Sequence, residues 1–132
     1  MKTSLSQLSV QSLQTPVSRP AVCSPSVAFF FAWKKGVQIA GLRFFGDGSQ
    51  EGFKKSDCRW HLRPNLRVIK KSFEVLTDQE RVFLAALVSF FNADEGGDLL
   101  KQSGVRGLSD LGILTFEQCD VIAGLIMNNH AW

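Results

Sequence analysis

Residues 76–92 constrain this chain more than any other stretch. Thr77-Asp78-Gln79-Glu80 has capping-box spacing, in which the threonine hydroxyl and the glutamate carboxylate satisfy unpaired N–H donors at a helix start. The following run, Val82–Phe91, is apolar nearly all round, so the helix it forms has almost no face to give to water and is expected to be the core element. Asn92 through Gly97 ends it. Thr115-Phe116-Glu117-Gln118 repeats the start signal 38 residues further on, ahead of a stripe at three- and four-residue spacing: Cys119, Ile122, Ala123, Leu125 and Ile126. Superposing the two starts pairs Leu84 with Ile122 and Leu87 with Leu125, so two similar helices are expected to pack together. Cys119, on the stripe, reads as a small core residue. Between them, Asp98–Gln102 suits a short helix and Val105–Leu111 a compact connector.

The first half reads differently. Residues 1–26 hold seven serines and Pro16, Pro20 and Pro25, with few clustered apolar groups to offset the entropy of ordering, and read as a tail. The continuous run Val27–Trp33 has the look of a strand buried on both faces, Lys34-Lys35-Gly36 that of a turn, and Val37–Phe45 that of a second strand. Gly46-Asp47-Gly48-Ser49 closes the hairpin. Pro64 argues against one continuous helix through 60–66, and the stretch 67–75 fits either a third strand or a short helix. The fold class expected is α+β. A flexible tail over 1–26 precedes a single small domain over 27–132, with an antiparallel hairpin or three-stranded sheet in a basic half, 27–71, and two main helices in an acidic half, 72–132.

Charge sharpens that division. At 132 residues and 45% hydrophobic content, the chain suits one globular domain and excludes wholesale disorder. Its net +3 conceals twelve basic groups against three acids in 1–71, and three against nine in 72–132, or +9 against −6. Within Lys54–Lys71, seven basic groups (Lys54, Lys55, Arg59, Arg63, Arg67, Lys70, Lys71) face one acid, Asp57, and Trp60 lies among them. Arginine forks fit phosphate bidentately and an indole stacks on an unpaired base, so these eight residues, Trp60 included, are the candidate nucleic-acid interface. The same cations would serve an acidic protein partner, a solvated face, or pairing with the chain's own acidic half.

Other chemistries are poorly served. Cys58-Arg59-Trp60-His61 has a C-x-x-H spacing that Cys119 and His130 would have to complete, without the second close pair usual in structural zinc sites. From Asn92 to Ser103, Asn92, Asp94, Gly97 and Leu99 match an EF-hand loop that follows a helix from Leu76, but Gly96 and Ser103 stand where its fifth and twelfth ligands belong. That match is read as coincidental, a helix end with Asn/Asp/Gly termination. There is no Gly-rich phosphate loop, no nucleophile elbow and no zinc-protease motif, so neither an enzyme, a metal nor a cofactor is expected. Three widely spaced cysteines fit a reducing compartment better than a disulfide framework. No apolar run approaches the roughly 20 residues that span a bilayer, and the Ser/Gln-rich opening lacks the apolar core of a secretory signal. A cytoplasmic protein without a membrane partner is expected, with a homo-oligomer left open.

Ser18-Arg19-Pro20, Phe29-Phe30-Phe31 and Lys34-Lys35 together resemble short accessory proteins of prophages and phage satellites, including the Icd-like host-division inhibitors. The resemblance covers about twenty residues and implies a small regulator or inhibitor acting by binding. The function expected is that of a non-enzymatic regulatory protein that binds nucleic acid through 54–71. The alternative is a protein–protein inhibitor or adaptor, of mobile-element origin by that resemblance, docking through its helical half.

Overall fold

The computed structural model of the chain describes residues 27–129. The tail over 1–26, Cys23 and His130 lie outside them. Among the described residues the fold is all-α, not α+β: α1 (Val27–Ala40), α2 (Gln50–Lys55), α3 (Leu66–Ser72), α4 (Asp78–Ser89), α5 (Ala93–Gln102) and α6 (Phe116–Asn129), linked by short 3-10 turns.

The expected hairpin is replaced by α1. Its buried residues are Phe29, Trp33, Gly36 and Val37, which share one face of a helix, while Phe31 and Val27 stay outside. A strand over 27–33 would need partners along both edges for its backbone donors and acceptors, whereas a helix satisfies them internally. Lys34-Lys35-Gly36 is no turn but mid-helix. Gly36 marks a close approach: a Cβ there would stand 3.0 Å from Val121 Cγ1 and 3.2 Å from Leu87 Cδ2. What remains of a sheet is an isolated antiparallel bridge between Phe45 and Pro64. Gly46 N–H donates to the Arg63 carbonyl at 2.8 Å, and Asn65 N–H to the Phe44 carbonyl at 2.7 Å.

Pro64 acts as the sequence leads one to expect. Arg59–Leu62 is a 3-10 turn, Arg63 is extended, and α3 starts only after Asn65, whose Oδ1 accepts the Val68 N–H at 3.3 Å. Of the two alternatives for 67–75, the structure has the short helix.

Both helix starts in the second half form by the expected local chemistry. Glu80 N–H donates to Thr77 Oγ1 at 3.2 Å and Thr77 N–H to Glu80 Oε1 at 2.8 Å. Gln118 N–H donates to Thr115 Oγ1 at 3.1 Å and Thr115 N–H to Gln118 Oε1 at 2.9 Å. Val82 through Val88 are all buried, so α4 is the central helix. The two look-alike helices do not form the principal pair, however. α6 lies antiparallel on α1, with Gly36 facing Val121 and Gly124 facing Ala32, and α4 packs chiefly on α5. Cys119 is exposed, not a core residue. Asn92 starts α5 as its N-cap, accepting the Glu95 N–H at 3.0 Å, so the residues that would have looped around calcium are helical.

Trp33 ties the layers together. Its indole N–H donates to the Leu62 carbonyl at 3.0 Å, and its ring meets Phe45 edge-on at 5.6 Å and Phe91 at 4.8 Å. One residue thereby fixes α1 to the 3-10 turn, to the Phe45 bridge and to the end of α4.

Candidate nucleic-acid interface

The eight residues of the basic segment do not share one face. Lys54 and Lys55 are exposed in the last turn of α2, which is capped by Ser49 Oγ accepting the Gly52 N–H at 2.9 Å. Lys55 pairs with Glu51 at 3.4 Å, but both side chains are about three-quarters solvated, so the pair adds little. Lys34, which the sequence reading put in a turn, lies over the Phe53 ring at 4.6 Å and brings a third cation to α2.

Arg59 points inward. It is 9% exposed, with its guanidinium 4.2 Å from the Phe29 ring centroid and 4.9 Å from that of Phe91. Nη2 donates to the Phe90 carbonyl at 3.1 Å and Nη1 to Asn129 Oδ1 at 3.3 Å. Burial pushes its pKa down to about 10. The every-fourth-residue spacing of Arg59, Arg63 and Arg67 therefore builds no stripe, because Pro64 breaks the helix that would have aligned them. Trp60 remains 36% exposed and stands edge-on to Phe91 at 5.1 Å.

Arg59 is thus an architectural residue, and that has a measurable consequence. Arg59→Ala should lower the free energy of unfolding by about 2–4 kcal/mol in urea titrations, through lost packing and an unpaired Phe90 carbonyl. Arg59→Met, which keeps the apolar volume and removes the buried charge, should lose much less and leave nucleic-acid affinity unchanged.

The remaining cations gather at α3. Arg63 is exposed beside a mainly polar cleft of about 320 Å³ that Gly46, Pro64, Asn65 and Leu66 also line. Arg67 and Lys71 are exposed one helical turn apart. The Phe45–Pro64 bridge lays the Leu42–Phe44 turn alongside α3 and adds the exposed Arg43 to this group. The sequence reading missed Arg43 because only the bridge, 20 residues away in the chain, brings it there. Among the described residues, Arg43, Arg63, Arg67 and Lys71 form no ion pair within 4 Å. Lys70 is spent differently, reaching Glu95 of α5 at 2.7 Å. It is the one ion pair among the described residues that joins the basic half to the acidic half. Asp47, next to the cleft, is turned onto its own loop. Its carboxylate accepts from Ser49 N–H at 2.9 Å and Ser49 Oγ–H at 2.7 Å, which holds its pKa below the usual carboxylate value.

The C-x-x-H spacing does gather potential ligands, with Asp57, Cys58 and His61 atoms within 4.8 Å of one another. Cys58 is disulfide-bonded, however, which denies a metal its thiolate and also departs from the reduced thiols expected from the sequence. Asp57 and His61 meet each other at 3.0 Å. No helix among the described residues is long and apolar enough to cross a membrane. Set against known proteins, the chain matches no family model, no curated protein and no solved structure.

Proposed function

We propose that this chain is a non-enzymatic binding protein whose α3 surface holds the phosphate backbone of a nucleic acid. The observation that carries this reading is the group Arg43, Arg63, Arg67 and Lys71: four exposed cations from two separate chain segments, with no acid in ion-pair reach among the described residues. Such groups repel one another, and a polyanion that neutralises them releases its own counterions. One of the four, Arg63, lines a mainly polar cleft, and a guanidinium fork there suits phosphate oxygens. Trp60 offers the partly exposed indole on which an unpaired base would stack. Lys54 and Lys55 on α2 extend the positive field. A regulatory role, and the likeness to prophage accessory proteins, belong to the same proposal.

The test is binding of a labelled single-stranded oligonucleotide across a salt series. Four phosphate contacts predict a log–log salt slope of magnitude about 3. Reversing Arg63 and Arg67 to Glu together should reduce affinity on the order of 100-fold while leaving helicity by circular dichroism intact. Affinity that ignores the reversal, or that barely responds to salt, would overturn the reading. Salt-sensitive capture of an acidic protein with no oligonucleotide binding would move these cations to the competing partner.

A further inference from the structure

The turn with the C-x-x-H spacing carries chemistry that the α3 surface does not use. Arg59–Leu62 is a 3-10 turn entered from Cys58, and the His61 N–H donates to the Cys58 carbonyl at 3.1 Å. Residues three apart in such a turn lie over one another, which puts the Cys58 and His61 side chains on one side of it. Asp57 completes the group: one ligand atom from each of Asp57, Cys58 and His61 lies within 4.8 Å of the other two. The turn is anchored from beneath, because the Arg59 guanidinium is buried against Phe29 and Phe91 and donates to the Phe90 carbonyl. Three ligand-bearing residues are therefore gathered by backbone that does not need a metal to fold.

The donor set says which ion it suits. Thiolate, imidazole and carboxylate together fit zinc, whereas calcium and magnesium take oxygen ligands. Tetrahedral zinc, with bonds of about 2.0–2.3 Å, sets its ligand atoms about 3.3–3.6 Å apart. Atoms already within 4.8 Å reach that spacing by small rotations of the exposed Asp57 and His61 side chains, and water takes the fourth position. A second observation points the same way. His61 Nδ1 lies 3.2 Å from the Asp57 N, whose N–H requires a lone pair there, and 3.0 Å from Asp57 Oδ1, which requires a proton there. One nitrogen does not serve both, and a cation between Nδ1 and Oδ1 takes up both lone pairs. The thiolate is held back by the disulfide: Cys119 is free, so the sulfur bonded to Cys58 lies outside the described residues. A dithiol reductant releases it. Two electrons pass to the S–S bond, which breaks into two thiols, while the dithiol closes to its own disulfide. Cys58 then gives its proton to solvent as the metal–sulfur bond forms. We propose that Asp57, Cys58 and His61 form a zinc site that reduction of the Cys58 disulfide opens. The proposal is independent of the nucleic-acid reading of α3.

The experiment titrates the full chain with zinc, and with cobalt(II) as a coloured probe, in oxidised and reduced forms. A phosphine serves as reductant, because unlike a dithiol it does not compete for the metal through sulfur. Cys119 is an exposed free thiol, so every sample carries Cys119→Ser. The reduced chain should bind one equivalent at least about ten-fold more tightly than the oxidised chain, with a sulfur-to-cobalt charge-transfer band in the near ultraviolet. His61→Ala and Asp57→Asn should each weaken binding at least about ten-fold. Their side chains are 47% and 73% solvated, so helicity should be unchanged. Cys58→Ser should abolish the band. Equal binding by the two redox forms, no binding by the reduced chain, or a band that survives Cys58→Ser would overturn the proposal. So would affinity indifferent to both His61→Ala and Asp57→Asn, since thiols alone would then hold the metal.

Discussion

Trp33→Ala should remove most of the stability of this domain. The side chain is fully buried, and its ring contacts Phe29, Phe45 and Phe91, which come from three separate parts of the chain. Truncation leaves a cavity too large for the neighbours to fill without dismantling the Phe45–Pro64 bridge. It also orphans the Leu62 carbonyl that the indole N–H satisfies. Removing a buried tryptophan costs about 3–5 kcal/mol, a large share of what a domain of this size has. Trp33→Phe keeps much of the apolar volume and loses the hydrogen bond, so it should fall well short of that loss. Urea denaturation followed by circular dichroism measures both. A loss under about 1 kcal/mol for Trp33→Ala would mean that α1 does not dock as described.

Gly96→Ala and Gly97→Ala should move stability in opposite directions. The two glycines are neighbours in α5, yet a Cβ on Gly96 would overlap the backbone of Ser89 in α4, whereas a Cβ on Gly97 meets nothing within 4 Å. Backbone cannot rotate aside as a side-chain end does, so Gly96→Ala must pry α5 away from α4. Overpacking of that kind costs about 1–3 kcal/mol. Gly97→Ala gains the ordinary helix preference of alanine, about 0.5–1 kcal/mol, because the unfolded chain loses freedom that the helix never used. Thermal melts of the two variants beside the parent make the comparison. Both moving the same way would contradict the α4–α5 approach.

These glycines show why part of the fold was not legible from the sequence. Gly96 and Gly97 read as termination residues, because nothing in the local sequence says that one of them is the contact point of a helical hairpin. The run Val27–Trp33 is apolar at every position, and a pattern with no polar residue cannot distinguish a strand buried on both faces from a helix buried on one. The tie was broken by α6, which offers Gly124 and Val121 to a helix and has no edge to offer a strand. Arg59 is the same lesson at the candidate site. By spacing it belonged with Arg63 and Arg67, but Pro64 ended the helix early and Phe29 and Phe91 supplied a pocket for its guanidinium.

The helix starts were legible, because a capping box is closed by groups three residues apart and needs no distant partner. Thr77 with Glu80, and Thr115 with Gln118, form as their spacing implies. So were the central burial of α4, which has no polar face to turn outward, the break at Pro64, and the separation of basic from acidic halves. Which cations remain on the surface was decided elsewhere. Arg43 joined the α3 group across a bridge, Lys70 went to Glu95, Arg59 went inside, and Cys119 came out. Local hydrogen bonding is written in neighbouring residues, but whether a side chain meets water depends on what the rest of the chain places against it.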